Sequence, residues 1–119
     1  MSDPAPVFIE HAGHRIASLA HANEAAVRFP VVWIHGLTVS VHVWEAAVYD
    51  EIKAQRSWYS VGLPLHSPST YAGELHEEKL TKDLFAELIA KPIDALIPEG
   101  EFHLIGHSLG GFAALNYAA

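Results

Sequence analysis

The chain has no cysteine, which removes disulfides, thiolate nucleophiles and cysteine-bound zinc from consideration and leaves the redox compartment open. Basic residues are scarce. Seven Lys and Arg against fourteen Asp and Glu give a formal charge of −7, which argues against nucleic acid and anionic membrane as partners. No apolar run reaches the ~20 residues of a membrane span. The opening Met-Ser-Asp-Pro-Ala-Pro also lacks the basic and apolar segments of a secretory signal, so a cytoplasmic setting is expected. No Gly/Ser linker, low-complexity tract or internal repeat divides the chain, which is read as one unit. The final Asn116-Tyr117-Ala118-Ala119 carries no helix-stop signal, as if an element were cut part-way. With half of its residues hydrophobic and 18% charged, the chain is of globular composition.

Residues 1–6 read as a disordered lead-in to a unit covering 7–119. Val7-Phe8-Ile9-Glu10 and Arg15-Ile16-Ala17-Ser18-Leu19-Ala20 flank Ala12-Gly13, the pattern of a hairpin at an antiparallel edge. His11 and His14 border the turn, and without a cysteine or carboxylate to complete a metal site they are expected as exposed turn residues. Pro30-Val31-Val32-Trp33-Ile34 reads as a strand buried on both faces, running into His35-Gly36-Leu37-Thr38. Val43, Trp44, Ala47, Val48 and Ile52 recur at helical spacing over 41–55, with Ser40 as N-cap. Ser57-Trp58-Tyr59-Ser60-Val61 is a second strand, closed by the proline-bearing loop 62–69.

Thr81 can cap a further helix with Leu84, Phe85, Leu88 and Ile89 on one face; Pro92 kinks or ends its first part, and Ile93 and Leu96 continue the stripe. Phe102-His103-Leu104-Ile105 is a third short strand, followed by a helical segment over 112–118. Strands alternating with helices predict an α/β fold with a mostly parallel sheet, helices on both faces and an N-terminal hairpin. Trp33, Trp44 and Trp58 are expected to pack in the core rather than to stack on a ligand.

The chemistry is carried by Gly106-His107-Ser108-Leu109-Gly110-Gly111, a Gly-x-Ser-x-Gly match entered from an apolar strand and left through an Ala-rich helix. A nucleophile turn of this kind strains the serine backbone and brings neighbouring chain so close that side chains at 106 and 110 would clash. Ser108 would stand at a helix N-terminus, where the N–H of Leu109 can stabilise an oxyanion. A second donor has to come from another loop at the same sheet edge, and the N–H of Leu37, in the His35-Gly36-Leu37 turn, is assigned to it. His35, Gly36 and His107 then line the substrate side, and no metal or cofactor is called for. The run His76-Glu77-Glu78 lacks the second histidine of a zinc-protease helix.

The order strand, His-Gly turn, helix, strand, Leu-Pro-x-His-x-x-Ser loop, helix, strand, Gly-His-Ser-Leu-Gly-Gly resembles the α/β-hydrolase superfamily over nearly the whole chain. Gly62 stands where that family usually has Asp, and Leu65 and Ser67 stand where it usually has Gly. The resemblance implies an esterase- or lipase-like serine hydrolase acting on a small ester or related acyl substrate through an acyl-Ser108 intermediate. It also implies that the acid and the histidine follow Ser108, yet the eleven residues behind it include no Asp, Glu or His. The chain alone is therefore expected to be nearly inactive. Two further readings follow: a non-catalytic remnant of the fold that binds a small apolar ligand or, through an open sheet edge, a partner chain or a second copy of itself, and a partial or cleaved chain complemented by a C-terminal fragment carrying the acid and the histidine.

Overall fold

The computed structural model describes residues 5–44, 50–73 and 81–119. Expectations for residues 1–4, for Ala47 and Val48, and for His76-Glu77-Glu78 fall outside these. The N-terminal hairpin joins β1 (Ala5–His11) to β2 (His14–His21). Ala12 and Gly13 both have positive φ, +50° and +82°, which matches the twist that a two-residue hairpin loop needs. The strands pair from Ala5↔Ala20 to His11↔His14, so β1 begins before its apolar run. His14 is buried against the Tyr71 ring, with centroids 4.4 Å apart, rather than exposed at the turn.

The remaining elements are β3 (Val31–Ile34), α1 (Asp50–Gln55), β4 (Trp58–Val61), β5 (Thr70–Tyr71), α2 (Lys82–Leu96), β6 (His103–Gly106) and α3 (Leu109–Ala118). The strands lie in the order β1-β2-β4-β3-β6, with β5 paired to the start of β2. This corrects the expectation of a mostly parallel sheet. Among the described residues only β3·β4 and β3·β6 are parallel, whereas β1·β2, β2·β4 and β2·β5 are antiparallel, so the sheet is mixed and mostly antiparallel. The physical reason is connectivity. Helical crossovers impose parallel pairing, but a two-residue turn joins β1 to β2, and β5 follows β4 through a short loop without a helix.

Side chains alternate across β3. Val32 and Ile34 enter a core with Val61, Leu63, Ile89, Ile93 and Ala113, while on the other face Trp33 stacks on Trp44 at 4.8 Å. Helix α2 starts at Thr81, whose hydroxyl accepts from the N–H of Leu84 at 3.1 Å, and it runs through Pro92 without a break. A helical proline costs about 3 kcal/mol. Burying Leu88, Ile89 and Ile93 returns roughly 1.5–3 kcal/mol each, which outweighs it.

Candidate active site

The parallel trio sets the geometry. Ile34 of β3 is in register with both Val61 of β4 and Gly106 of β6, so the three strands end level. The turn after β3 (35–38), the loop after β4 (62–69) and the junction after β6 (107–108) therefore emerge side by side at the carboxyl edge, where open α/β sheets form their crevices.

Ser108 occupies the junction between β6 and α3 with φ +58° and ψ −120°, a conformation that costs a non-glycine residue roughly 1–3 kcal/mol. It is held from both sides. The N–H of His107 donates to Ile34 O at 3.1 Å, extending the β3·β6 ladder by one residue. The N–H groups of Gly111 and Phe112 donate to Ser108 O at 2.9 and 3.2 Å and start α3. Gly106 and Gly110 permit the close approach. A Cβ at 110 would land on the carbonyl oxygens of Ile34 and His35, and one at 106 would lie 2.6 Å from Gly111 N. A Cβ at Gly36 would be 3.3 Å from that of Ser108 and 2.9 Å from His107 Nδ1, which places the His-Gly turn directly against the serine.

Ser108 and His107 are exposed. The Ser108 hydroxyl makes no hydrogen bond to a described residue, so no serine, histidine and acid are joined among them. The N–H groups of Leu37 and Leu109 likewise have no partner among the described residues. His35 behaves differently from an exposed site residue: it is 1% exposed and both ring nitrogens are engaged, Nδ1 with Gly36 O at 2.8 Å and Nε2 with the N–H of Leu63 at 2.9 Å. Burial holds its pKa below the ordinary 6.5; the Gly36 carbonyl pulls the other way, and nearby His66 adds to the lowering.

Sequence reasoning did not give His66 a role. Its Nδ1 is 3.0 Å from Pro64 O and its Nε2 accepts from the N–H of Thr38 at 3.1 Å, a contact between residues 28 apart that no local pattern signals. The structure explains one of the departures in the 62–69 loop and leaves a second without a structural reason. Position 62 must be glycine because a Cβ there would meet Ala17 O. Leu65 takes φ +66°, the left-handed conformation for which glycine is better suited. Beside the serine helix, Phe85, Leu109 and Phe112 line an apolar cavity of about 230 Å³ rimmed by Thr81, Lys82 and Asn116.

A family model described as Alpha/beta hydrolase family matches residues 31–119, and the chain belongs to that family. No curated protein matches it. Among solved structures it is similar to the Cif epoxide hydrolase from Acinetobacter nosocomialis (18% identity, TM-score 0.76, 98% of this chain and 34% of that one). It is also similar to naproxen esterase (carboxylesterase NP) from Bacillus subtilis (22%, 0.75, 96% and 38%) and to the thioesterase domain from the curacin biosynthetic pathway (20%, 0.76, 94% and 40%). These likenesses show the fold, and the chain spans little more than a third of each first-named structure. Among the described residues no group of three or more His, Asp or Glu side chains could hold a metal, and no helix is long and apolar enough to cross a membrane.

Proposed function

We propose that these 119 residues act as a docking and binding unit of α/β-hydrolase descent that does not turn over esters by itself. The observation that supports this best is the outer edge of β6. The N–H groups of His103 and His107 both point into the β3 pairing, so by the alternation of a parallel strand Leu104 and Gly106 direct their N–H and C=O groups outward, where no strand among the described residues meets them. Such an edge recruits a further strand, and a second copy of this chain is the occupant that the unit supplies itself. The apolar cavity beside Leu109 fits a small apolar ligand.

A second reading is favoured by Ser108 itself. Its strained backbone, its exposure and the N–H groups of Leu37 and Leu109, unpartnered among the described residues, suit a serine acyl hydrolase whose base lies outside the described residues. The Ser108 oxygen would bond to the acyl carbon, the base would take the hydroxyl proton and pass it to the departing alkoxide, and the two N–H groups would hold the oxyanion. His107, which is exposed, would border the substrate, while the buried His35 and Gly36 would support the turn beneath it, and a cytoplasmic setting belongs to the same proposal.

The test combines light scattering with a fluorophosphonate probe and p-nitrophenyl acetate. The expected result is assembly that Ile105→Lys, a charge on the exposed edge, abolishes without loss of secondary structure, together with ester turnover no greater than that of Ser108→Ala. A monomer at all concentrations removes the docking reading. Turnover or labelling that Ser108→Ala abolishes, whether intrinsic or brought out by added imidazole as a surrogate base, establishes the second reading.

A further inference from the structure

The two histidines at the carboxyl edge are bonded in opposite directions across the same gap. His35 leaves the end of β3 and receives the N–H of Leu63 in the loop after β4; His66 leaves that loop and receives the N–H of Thr38 in the turn after β3. Their rings lie 5.3 Å apart at 57°. Hydrogen-bond chemistry assigns both tautomers. A carbonyl oxygen only accepts, so Nδ1 must carry the proton that goes to Gly36 O in His35 and to Pro64 O in His66. A backbone N–H only donates, so Nε2 must be bare in each ring. Between the two bonded positions stands Leu37, whose N–H has no partner among the described residues, and next to it Thr38 holds the left-handed φ of +68°, a conformation rare for a β-branched residue.

We infer that His35 and His66 form a reciprocal latch that positions the 36–38 turn, the Leu37 N–H included, and that the latch opens when either ring takes up a second proton. Protonation would place an N–H at Nε2 against the N–H of Leu63 or Thr38, two donors with no acceptor between them. The ionisable groups facing the pair are few. Each ring faces the other, and from the β6 to α3 junction comes His107, whose Nδ1 lies beside Gly36. No ion pair with a carboxylate is made by either ring among the described residues. The latch rests on its own four bonds; only its service to an oxyanion rests on the second reading above.

The experiment is nitrogen-15 spectroscopy on the whole 119-residue chain. Long-range proton–nitrogen correlation at pH 7.5 should show both rings protonated at Nδ1. Amide exchange at Thr38 and Leu63 should be slowed, and at pH 5 the protection of Thr38 should fall at least tenfold relative to its intrinsic rate. His66→Gln separates positioning from bulk, since a glutamine oxygen can accept from Thr38 and does not titrate; protection of Thr38 should then persist at pH 5. His66→Ala should lose that protection at every pH. Either ring protonated at Nε2 near neutrality, a Thr38 amide indifferent to pH in the unaltered chain, or a glutamine variant that still loses protection in acid overturns the latch. If the alanine variant does not fold, the tautomers and the glutamine variant decide alone. None of these readouts involves Ser108 labelling, so the latch and the hydrolase reading can fail separately.

Discussion

Gly110 and Gly111 are adjacent and chemically identical, yet the structure predicts opposite responses to a methyl group. At Gly110 the new Cβ would land on the carbonyl oxygens of Ile34 and His35 and stand 2.7 Å from the Ile34 carbonyl carbon, all of it backbone at the end of β3 and the residue after it. Comfortable contact lies near 3.5–4.0 Å, so relief requires α3 to withdraw by about 1 Å along the seam where Ala113 is buried. Overpacking of this kind costs about 1–3 kcal/mol, and with rigid backbone on the receiving side the upper end applies. Better helix propensity returns about 1 kcal/mol, leaving Gly110→Ala less stable by about 2 kcal/mol. At Gly111 the nearest atom would be Gly106 O at 3.4 Å, ordinary contact, so Gly111→Ala keeps the propensity gain of about 1 kcal/mol. The variants should differ by about 3 kcal/mol, or about 12 °C in melting midpoint for a domain of this size. Thermal and urea melts followed by circular dichroism measure both. Variants that melt within a degree or two of each other would refute the claim that Gly110 is required by the β3 to α3 seam.

Two predictions concern titration. His35 and His14 both have pKa values held below the ordinary 6.5, His35 mainly by burial and His14 by burial with His11 adding to it. As pH falls through about 6.5 the unfolded chain takes up protons that the folded chain refuses, so stability from these groups is complete above that value and is lost towards the lower folded pKa. Urea midpoints should decline from pH 7.5 to 5.5, and a contribution that rises in acid would contradict the assignment. Tyr117 is pushed up to about 12 by burial, by donation to Asp94 Oδ1 at 2.8 Å and by that carboxylate's charge. Ultraviolet titration should show a late tyrosine step that Tyr117→Phe removes and Asp94→Asn moves to lower pH; an unchanged curve in Asp94→Asn would exclude the contact.

The elements that the sequence makes legible are those whose signal is local. Residues 31–34 and 58–61 stand out as short apolar runs because each strand is flanked on both sides in the sheet, and Thr81 reads as a cap because its partner is three residues away. The Gly-x-Ser-x-Gly spacing is legible for the same reason: the close approaches that forbid side chains at 106 and 110 leave glycines behind. What is not legible depends on partners distant in the chain. Two residues of β5 carry no periodicity, alternation cannot tell parallel from antiparallel neighbours, and the burial of His14 follows from Tyr71, which only the β2·β5 pairing brings near. Pro92 misleads in the other direction, since its local cost is set against burial on both sides of it that propensity does not count.

The misread sheet bears directly on the site. Strand β2, antiparallel to β4, extends past the carboxyl end of β4, since Ser18 pairs with Val61 and the strand begins at His14. That overhang grips both ends of the loop that carries His66. The N–H of Gly62 donates to Ala17 O at 2.9 Å, and the N–H of Ala17 donates to the buried hydroxyl of Ser69, also at 2.9 Å. One residue of β2 thus fixes the loop where it leaves β4 and where it enters β5, which itself pairs with His14 and Arg15. Held at 62 and 69, the loop can present His66 to Thr38 and Leu63 to His35. A purely parallel sheet would offer the His-Gly turn and Ser108 at the same edge, but no overhanging strand to hold the intervening loop. The antiparallel half is therefore what fixes the turn beside Ser108.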